Sequence, residues 1–158
     1  MRILVFSDTH GRTGDMLRVL EAAPCDLVLH LGDCTADCDD VRLCFPQLRL
    51  WQVAGNDFRD GFSGLNYEDC FVLEGVGVFM AHGHRQNVST GPETLCACAE
   101  ARGAALALYG HTHRAALGTC GGVTYFNPGS LSRPRDGSPS YGVVTVREST
   151  FHCEVVRL

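Results

Sequence analysis

The sequence predicts a mixed α/β domain of two sheets with helices outside, one sheet rich in parallel pairing and the other in antiparallel pairing. Three observations predict it. The first half alternates apolar runs with helical periodicity in a β-α-β-α-β order, which calls for parallel strands. A hairpin signal, Glu74-Gly75 between two apolar runs, then breaks the alternation. The last third consists of short runs separated by glycine- and proline-rich turns, the texture of antiparallel sheet.

Taken in order, Ile3 to Phe6 reads as a buried strand, and Gly14 to Ala23 as a helix with Met16, Leu17, Val19 and Leu20 at helical spacing and Pro24 as its stop. Leu27 to Leu31 is the second strand. Asp37 to Phe45 is a short helix ending before Pro46, and Leu48 to Ala54 returns as a strand. Cys70 to Leu73 and Val76 to Ala81 form the hairpin. Thr90 is predicted to cap a helix, with Glu93 completing a capping box and Gly103 ending it. Ala104 to Leu108 is a further strand. Ala116 to Thr119, Val123 to Phe126, Tyr141 to Val146 and Phe151 to Val156 close the chain as antiparallel strands.

At 158 residues, with 45% hydrophobic and 20% charged residues, the chain reads as one domain over residues 1–158. Thirteen Lys and Arg against 18 Asp and Glu leave a net charge of −5, the wrong sign for stable nucleic-acid binding. The opening apolar run, Ile3 to Phe6, is too short for an export signal or a membrane span, so a cytoplasmic protein with no membrane association is expected. The nine cysteines are then reduced thiols, most of them expected to pack as small buried hydrophobes. The close spacings Cys34-x3-Cys38 and Cys96-x-Cys98 are not the paired C-x2-C of a zinc ribbon.

The chemistry follows the strands. Behind successive apolar runs come Asp8-Thr9-His10, Gly32-Asp33, Gly55-Asn56-Asp57, His82-Gly83-His84 and Gly110-His111-Thr112-His113. Parallel strands bring their C-terminal ends to a common rim, where ligands bind in open α/β sheets, so clusters far apart in sequence converge. A set of carboxylates, imidazoles and an amide without thiolate is too large for one tetrahedral ion and argues for two divalent cations sharing a carboxylate. The glycines before Asp33, Asn56 and His111 are read as sharp turns under a ligand.

These five blocks, with Asn127-Pro128-Gly129-Ser130, resemble in order the motifs of the calcineurin-like metallophosphoesterases, over Met1 to about Ser130, and most resemble their short single-domain prokaryotic phosphodiesterases. The resemblance implies a two-sheet sandwich flanked by helices in α/β/β/α layers. It implies Asp8, His10, Asp33 and His113 on one metal ion and Asp33, Asn56, His82 and His111 on the other, with Asp33 bridging. The ions would be divalent, with Mn²⁺ expected and Fe, Co, Ni or Zn compatible. The implied activity is hydrolysis of a small phosphodiester by a hydroxide held between the ions.

Many members of that family carry His directly after the Asn, where it protonates the leaving group; here Asp57 stands in that place. Asp57 is read either as a cap of the following turn or as a weak substitute acid, and His84 either as the acid or as a partner orienting a ligand. His30 reads as a core histidine or a support behind a ligand rather than a ligand itself, and His152 has no assigned role. Arg12 and Arg85, just past ligand clusters, are read either as contacts to phosphate oxygens or as solvated surface arginines; they are the only cations counted near the motifs, which favours diesters over dianionic monoesters. The alternatives are a phosphomonoesterase or nucleotide pyrophosphatase of the same superfamily, and a non-catalytic scaffold on the same fold like the retromer subunit. A homo-oligomer is left open.

Overall fold

A computed structural model describes residues 1–158. Ten strands form two five-stranded sheets, and three α-helices cover them. The first sheet has the order β10-β9-β1-β2-β3, built from β1 (Arg2–Phe6), β2 (Leu27–His30), β3 (Arg49–Gln52), β9 (Ser140–Arg147) and β10 (Thr150–Arg157). The second has the order β4-β5-β6-β8-β7, from β4 (Glu68–Leu73), β5 (Val76–Ala81), β6 (Leu106–Leu108), β7 (Ala115–Cys120) and β8 (Val123–Pro128).

The side-chain period of two decides the layers. Ile3 and Val5 of β1 face the inter-sheet core with Leu27, Leu29, Val78, Met80, Leu106 and Val144. Leu4 and Phe6 point the other way, under α1 (Thr13–Ala22) and α2 (Asp37–Cys44), where they meet Met16, Val19 and Val41. On the far side Phe79, Ala81 and Ala107 receive Leu95, Cys96 and Ala99 of α3 (Glu93–Glu100). The result is the expected α/β/β/α stack.

Two expectations change. Neither sheet is parallel-rich: β1, β2 and β3 are parallel in the first, β5, β6 and β8 in the second, and an antiparallel neighbour flanks each trio. The strands of the last third divide between the sheets, because β9 pairs with β1 while β7 and β8 join β6. The capping box is also absent. Thr90 Oγ1 donates to the Asn87 carbonyl at 2.9 Å, closing the preceding turn, and α3 starts without a side-chain cap.

Three of the nine cysteines, Cys38, Cys96 and Cys153, are buried, and all nine are free thiols. The expectation that most are core residues is therefore corrected; Cys44 and Cys70 are exposed on outer faces of α2 and β4. No helix is long and apolar enough to cross a membrane.

At one rim of the sandwich the β4–β5 turn meets the β9–β10 turn, with Ser149 N–H donating to the Glu74 carbonyl at 3.0 Å and the Met1 ammonium 3.3 Å from the Glu74 carboxylate. All six parallel strands end at the opposite rim.

Candidate metal centre

Every strand that carries a motif is one of those six, so parallel pairing gathers the motifs. Asp8 and His10 follow β1, Asp33 follows β2, Asn56 follows β3, His82 follows β5, and His111 and His113 follow β6. One ligand atom each from Asp8, His10, Asp33 and His113 lies within 4.8 Å of the others. Beside them, Asn56 Oδ1 is 3.0 Å from His82 Nε2 and 2.9 Å from His111 Nδ1. Asp33 stands between the groups, with Oδ1 3.4 Å from His82 Nε2 and Oδ2 3.8 Å from His10 Nε2.

Five of these seven residues hold left-handed backbone: Asp8 at φ 54°, His10 at 43°, Asp33 at 60°, His111 at 67° and His113 at 58°. For L-residues with side chains that conformation costs on the order of 1 kcal/mol each, and such outliers gather at functional sites.

Hydrogen bonds to the backbone set the imidazole tautomers. His82 Nδ1 donates to the Leu31 carbonyl at 2.8 Å and His113 Nδ1 to the Arg133 carbonyl at 2.8 Å, because a carbonyl only accepts. Each ring thus turns its other nitrogen, Nε2, to oxygen: His82 to Asn56 and Asp33, His113 to Asp8 Oδ1 at 3.2 Å, and a ring carrying one proton presents that nitrogen bare. Asp8 Oδ1 is buried and has no hydrogen-bond partner. Lone pairs facing lone pairs in a buried site fit a shared cation, and the donors suit a divalent metal of intermediate hardness.

Proton affinities follow the same crowding. Burial would raise the Asp8 carboxyl, but the neighbouring His113 and His82 imidazoles and the Ser7 hydroxyl hold it below the ordinary value. The Asp8 carboxylate beside its Nε2 in turn raises His113. Burial lowers His10 and His111, and pushes His84 down to about 4 with help from His82, His111 and Arg85.

The buttresses are largely residues that the sequence did not single out. Asp60, 2% exposed, accepts the amides of Asp33, Thr35 and Gly55 at 2.8–2.9 Å, and the Thr35 hydroxyl at 2.9 Å. Its only sequence signal is a second acid four residues after Asn56. The Asn127-Pro128-Gly129-Ser130 block braces the rim: Asn127 Nδ2 donates to the Gly110 carbonyl at 2.8 Å and Ser130 Oγ to the Asp8 carbonyl at 2.8 Å. His30, fully buried, meets Thr9 Oγ1 at 3.0 Å between two motif loops.

Asp57 carries its carboxylate back to the Arg59 amide at 3.0 Å as a turn cap, while its own amide donates to Asp33 Oδ1 at 2.8 Å. Gly32 has the left-handed φ expected of a turn, whereas at Gly55 and Gly110 the requirement is space. A Cβ on Gly55 would collide with the Asp33 carboxylate and amide, and one on Gly110 with Ser7 Oγ.

A polar cavity of about 520 Å³ opens over His10, Asp33, Asn56, His111 and His113. Ser89, Arg133, Pro134 and Arg135 complete its wall. The cation count is thereby corrected: Arg12 turns to Asp15 at 2.9 Å, away from the cavity, and two arginines from the loop after β8 take its place.

Residues 1–149 match the family described as the calcineurin-like phosphoesterase superfamily domain. The chain is 30% identical over 138 residues to a Mycoplasma pneumoniae protein named "Probable metallophosphoesterase", covering 85% of this chain and 82% of that one. It is 32% identical over 114 residues to phosphodiesterase YfcE of Escherichia coli, 72% of this chain but only 49% of that protein's length. A solved Streptococcus pneumoniae protein described as a predicted phosphoesterase superposes with a TM-score of 0.80 at 25% identity, covering 99% of this chain and 88% of its own. Vps29 of Entamoeba histolytica, solved with zinc, shares the fold with a TM-score of 0.76 at 21% identity, covering 99% of each chain. With its motifs on one rim of this sandwich and the family match running through 149 of its residues, the chain belongs to the calcineurin-like phosphoesterase superfamily.

Proposed function

We propose that residues 1–158 form one catalytic unit, a binuclear metal-dependent phosphodiesterase. The observation that carries this is Asp33, whose two oxygens face different imidazoles while the Asn56 and Asp57 amides hold its Oδ1 at 2.8 Å. Asp8, His10, Asp33 and His113 would hold one cation, and Asp33, Asn56, His82 and His111 the other. Two divalent cations, when bound, supply Lewis-acid polarisation of the phosphoryl group and activation of water as the nucleophile.

The chain's own residues do the rest. Arg133 and Arg135, lining the same cavity, meet non-bridging phosphoryl oxygens. Asp57 positions Asp33 through its amide, and its carboxylate stays on the Arg59 amide. His84, held neutral near pH 7 by burial and by His82, His111 and Arg85, offers the leaving oxygen a hydrogen bond rather than a proton. Activated aryl diesters should therefore turn over well and alkyl diesters poorly, since general acid catalysis is typically worth about 10²–10⁴ in rate for a poor leaving group. A scaffold on this fold needs none of these lone pairs in register, and a complete set of seven weighs against that reading.

The test is metal analysis of the purified protein with rates on bis-p-nitrophenyl phosphate and p-nitrophenyl phosphate, with and without Mn²⁺. Asp33→Ala should abolish metal-dependent hydrolysis more completely than loss of a ligand serving one ion. Full activity after chelation or in Asp33→Ala would remove the binuclear mechanism. A monoester preference of about tenfold in kcat/KM, about 1.4 kcal/mol in the transition state, would move the assignment to a phosphomonoesterase.

A further inference from the structure

Asn56 also lines a separate cavity of about 380 Å³. Its character differs from that of the first. Where the metal cavity has no hydrophobic lining residue, this one is walled by Phe58, Phe62 and Tyr67 together with His84 and Arg85. Phe58 and Phe62 are 80% and 79% exposed, with ring centroids 5.1 Å apart at an interplanar angle of 66°. The Arg85 guanidinium lies 3.4 Å over the Tyr67 ring centroid, and the His84 ring meets the same tyrosine edgewise at 5.7 Å.

The loop presenting the two phenylalanines is rigidly seated. Asp60, between them in sequence, is buried under the amides of Asp33 and Gly55, and Asp57 caps the turn at Arg59. The backbone that carries the two rings is thus held beside the metal ligands through Asp60, which also accepts the Asp33 amide. Exposed aromatic faces beside a stacked guanidinium are the chemistry that receives a planar π-system, and they sit next to where a phosphoryl group would bind.

We propose that Phe58, Phe62, Tyr67 and Arg85 form a subsite for a planar aromatic arm of the phosphoester. The inference rests on the phosphoesterase reading above and gives it a substrate class, esters carrying an aromatic ring or nucleobase-like group. A small substrate arm is the occupant because the surface is concave, mixes aromatic with polar groups, and shares Asn56 with the wall of the metal cavity.

The experiment uses Mn²⁺-loaded protein and two non-hydrolysable ligands, benzylphosphonate and ethylphosphonate, which mimic a phenyl and a methyl ester with CH₂ in place of the bridging oxygen. Calorimetric Kd values should favour benzylphosphonate by roughly tenfold, the scale of one aromatic stacking contact. In the double variant Phe58→Ala, Phe62→Ala the ratio should fall toward one through weaker benzylphosphonate binding. Both side chains stand in solvent, so the fold does not depend on them. Leu43→Ala, at a residue 79% exposed on α2, should keep the wild-type ratio. Equal affinities in the wild type, or a ratio unchanged in the double variant, would overturn the subsite. So would a wild-type dimer that the double variant dissociates with the ratio intact, which would place the pair between copies of the chain. Hydrolysis of bis-p-nitrophenyl phosphate is followed in parallel. Hydrolysis with a ratio of one removes the subsite alone, whereas the expected ratios without hydrolysis keep the subsite and remove the phosphodiesterase reading.

Discussion

Gly55 shows how closely the residues of the centre are set. Its Cα path passes against the Asp33 carboxylate, so Gly55→Ala must push Asp33 aside or bend the Asn56 loop. A displacement near 1 Å at a reacting centre costs about 10² in rate, and we expect kcat/KM to fall at least that far with the unfolding midpoint far less affected. Steady-state kinetics beside thermal denaturation checks it, and near-normal activity would refute the close approach. His30 makes a second prediction, in pH. Burial pushes its pKa down to about 4, with the Gly32 amide donating to Nδ1 at 3.3 Å, so the folded protein keeps it neutral while the unfolded chain protonates it below 6.5. The folded pKa is depressed, so this stability is complete above pH 6.5 and is lost as pH falls toward 4, by up to roughly 3 kcal/mol. His10, His84 and His111 lean the same way and His113 the opposite way. Urea unfolding of metal-free protein between pH 7.5 and 4.5 should therefore show a shallower loss in His30→Gln than in the wild type. Parallel slopes would sink the assignment.

Among the elements, the short connection after β3 has the largest influence on the site. Asp60 there gathers donors from the loops after β2 and β3, and it belongs to neither a ligand motif nor an apolar run. Asp60→Ala strands three buried amides and a hydroxyl; losing a partner that orients ligands typically costs about 10–100-fold in metal affinity. Isothermal titration with Mn²⁺ should show that drop, and unchanged affinity would count against it. Asp60 also marks where sequence legibility ended. The strands and the seven candidate ligands could be read because apolar runs and punctuation are local, and parallel pairing converts strand ends into one rim. Asp60, Arg133 and Arg135 act through tertiary contacts that no spacing encodes. The last third read as one antiparallel sheet because turn residues give strand boundaries and not partners: β9 finds β1 across nearly the whole chain. Thr90 matched the capping pattern, yet Asn87 takes its hydroxyl.

Across the whole molecule the candidate ligands divide by sheet. Asp8, His10, Asp33 and Asn56 end strands of the first sheet, and His82, His111 and His113 end strands of the second. A cation held by this set is bonded to both sheets at once, and binding to the folded state alone stabilises it in proportion to RT ln(1 + [L]/Kd). Hydrogen–deuterium exchange should accordingly slow in peptides from both sheets on addition of Mn²⁺, around Gly32 and around Gly110 together. Protection confined to one sheet would contradict a shared centre. The far rim, where Ser149 and Met1 both reach Glu74, is joined by the chain's own bonds. The sandwich then resembles a book with a permanent spine and a clasp. Hydrogen bonds centred on Asp8 and His82 join the covers at the opposite edge, and a divalent cation bound there would add a clasp across both.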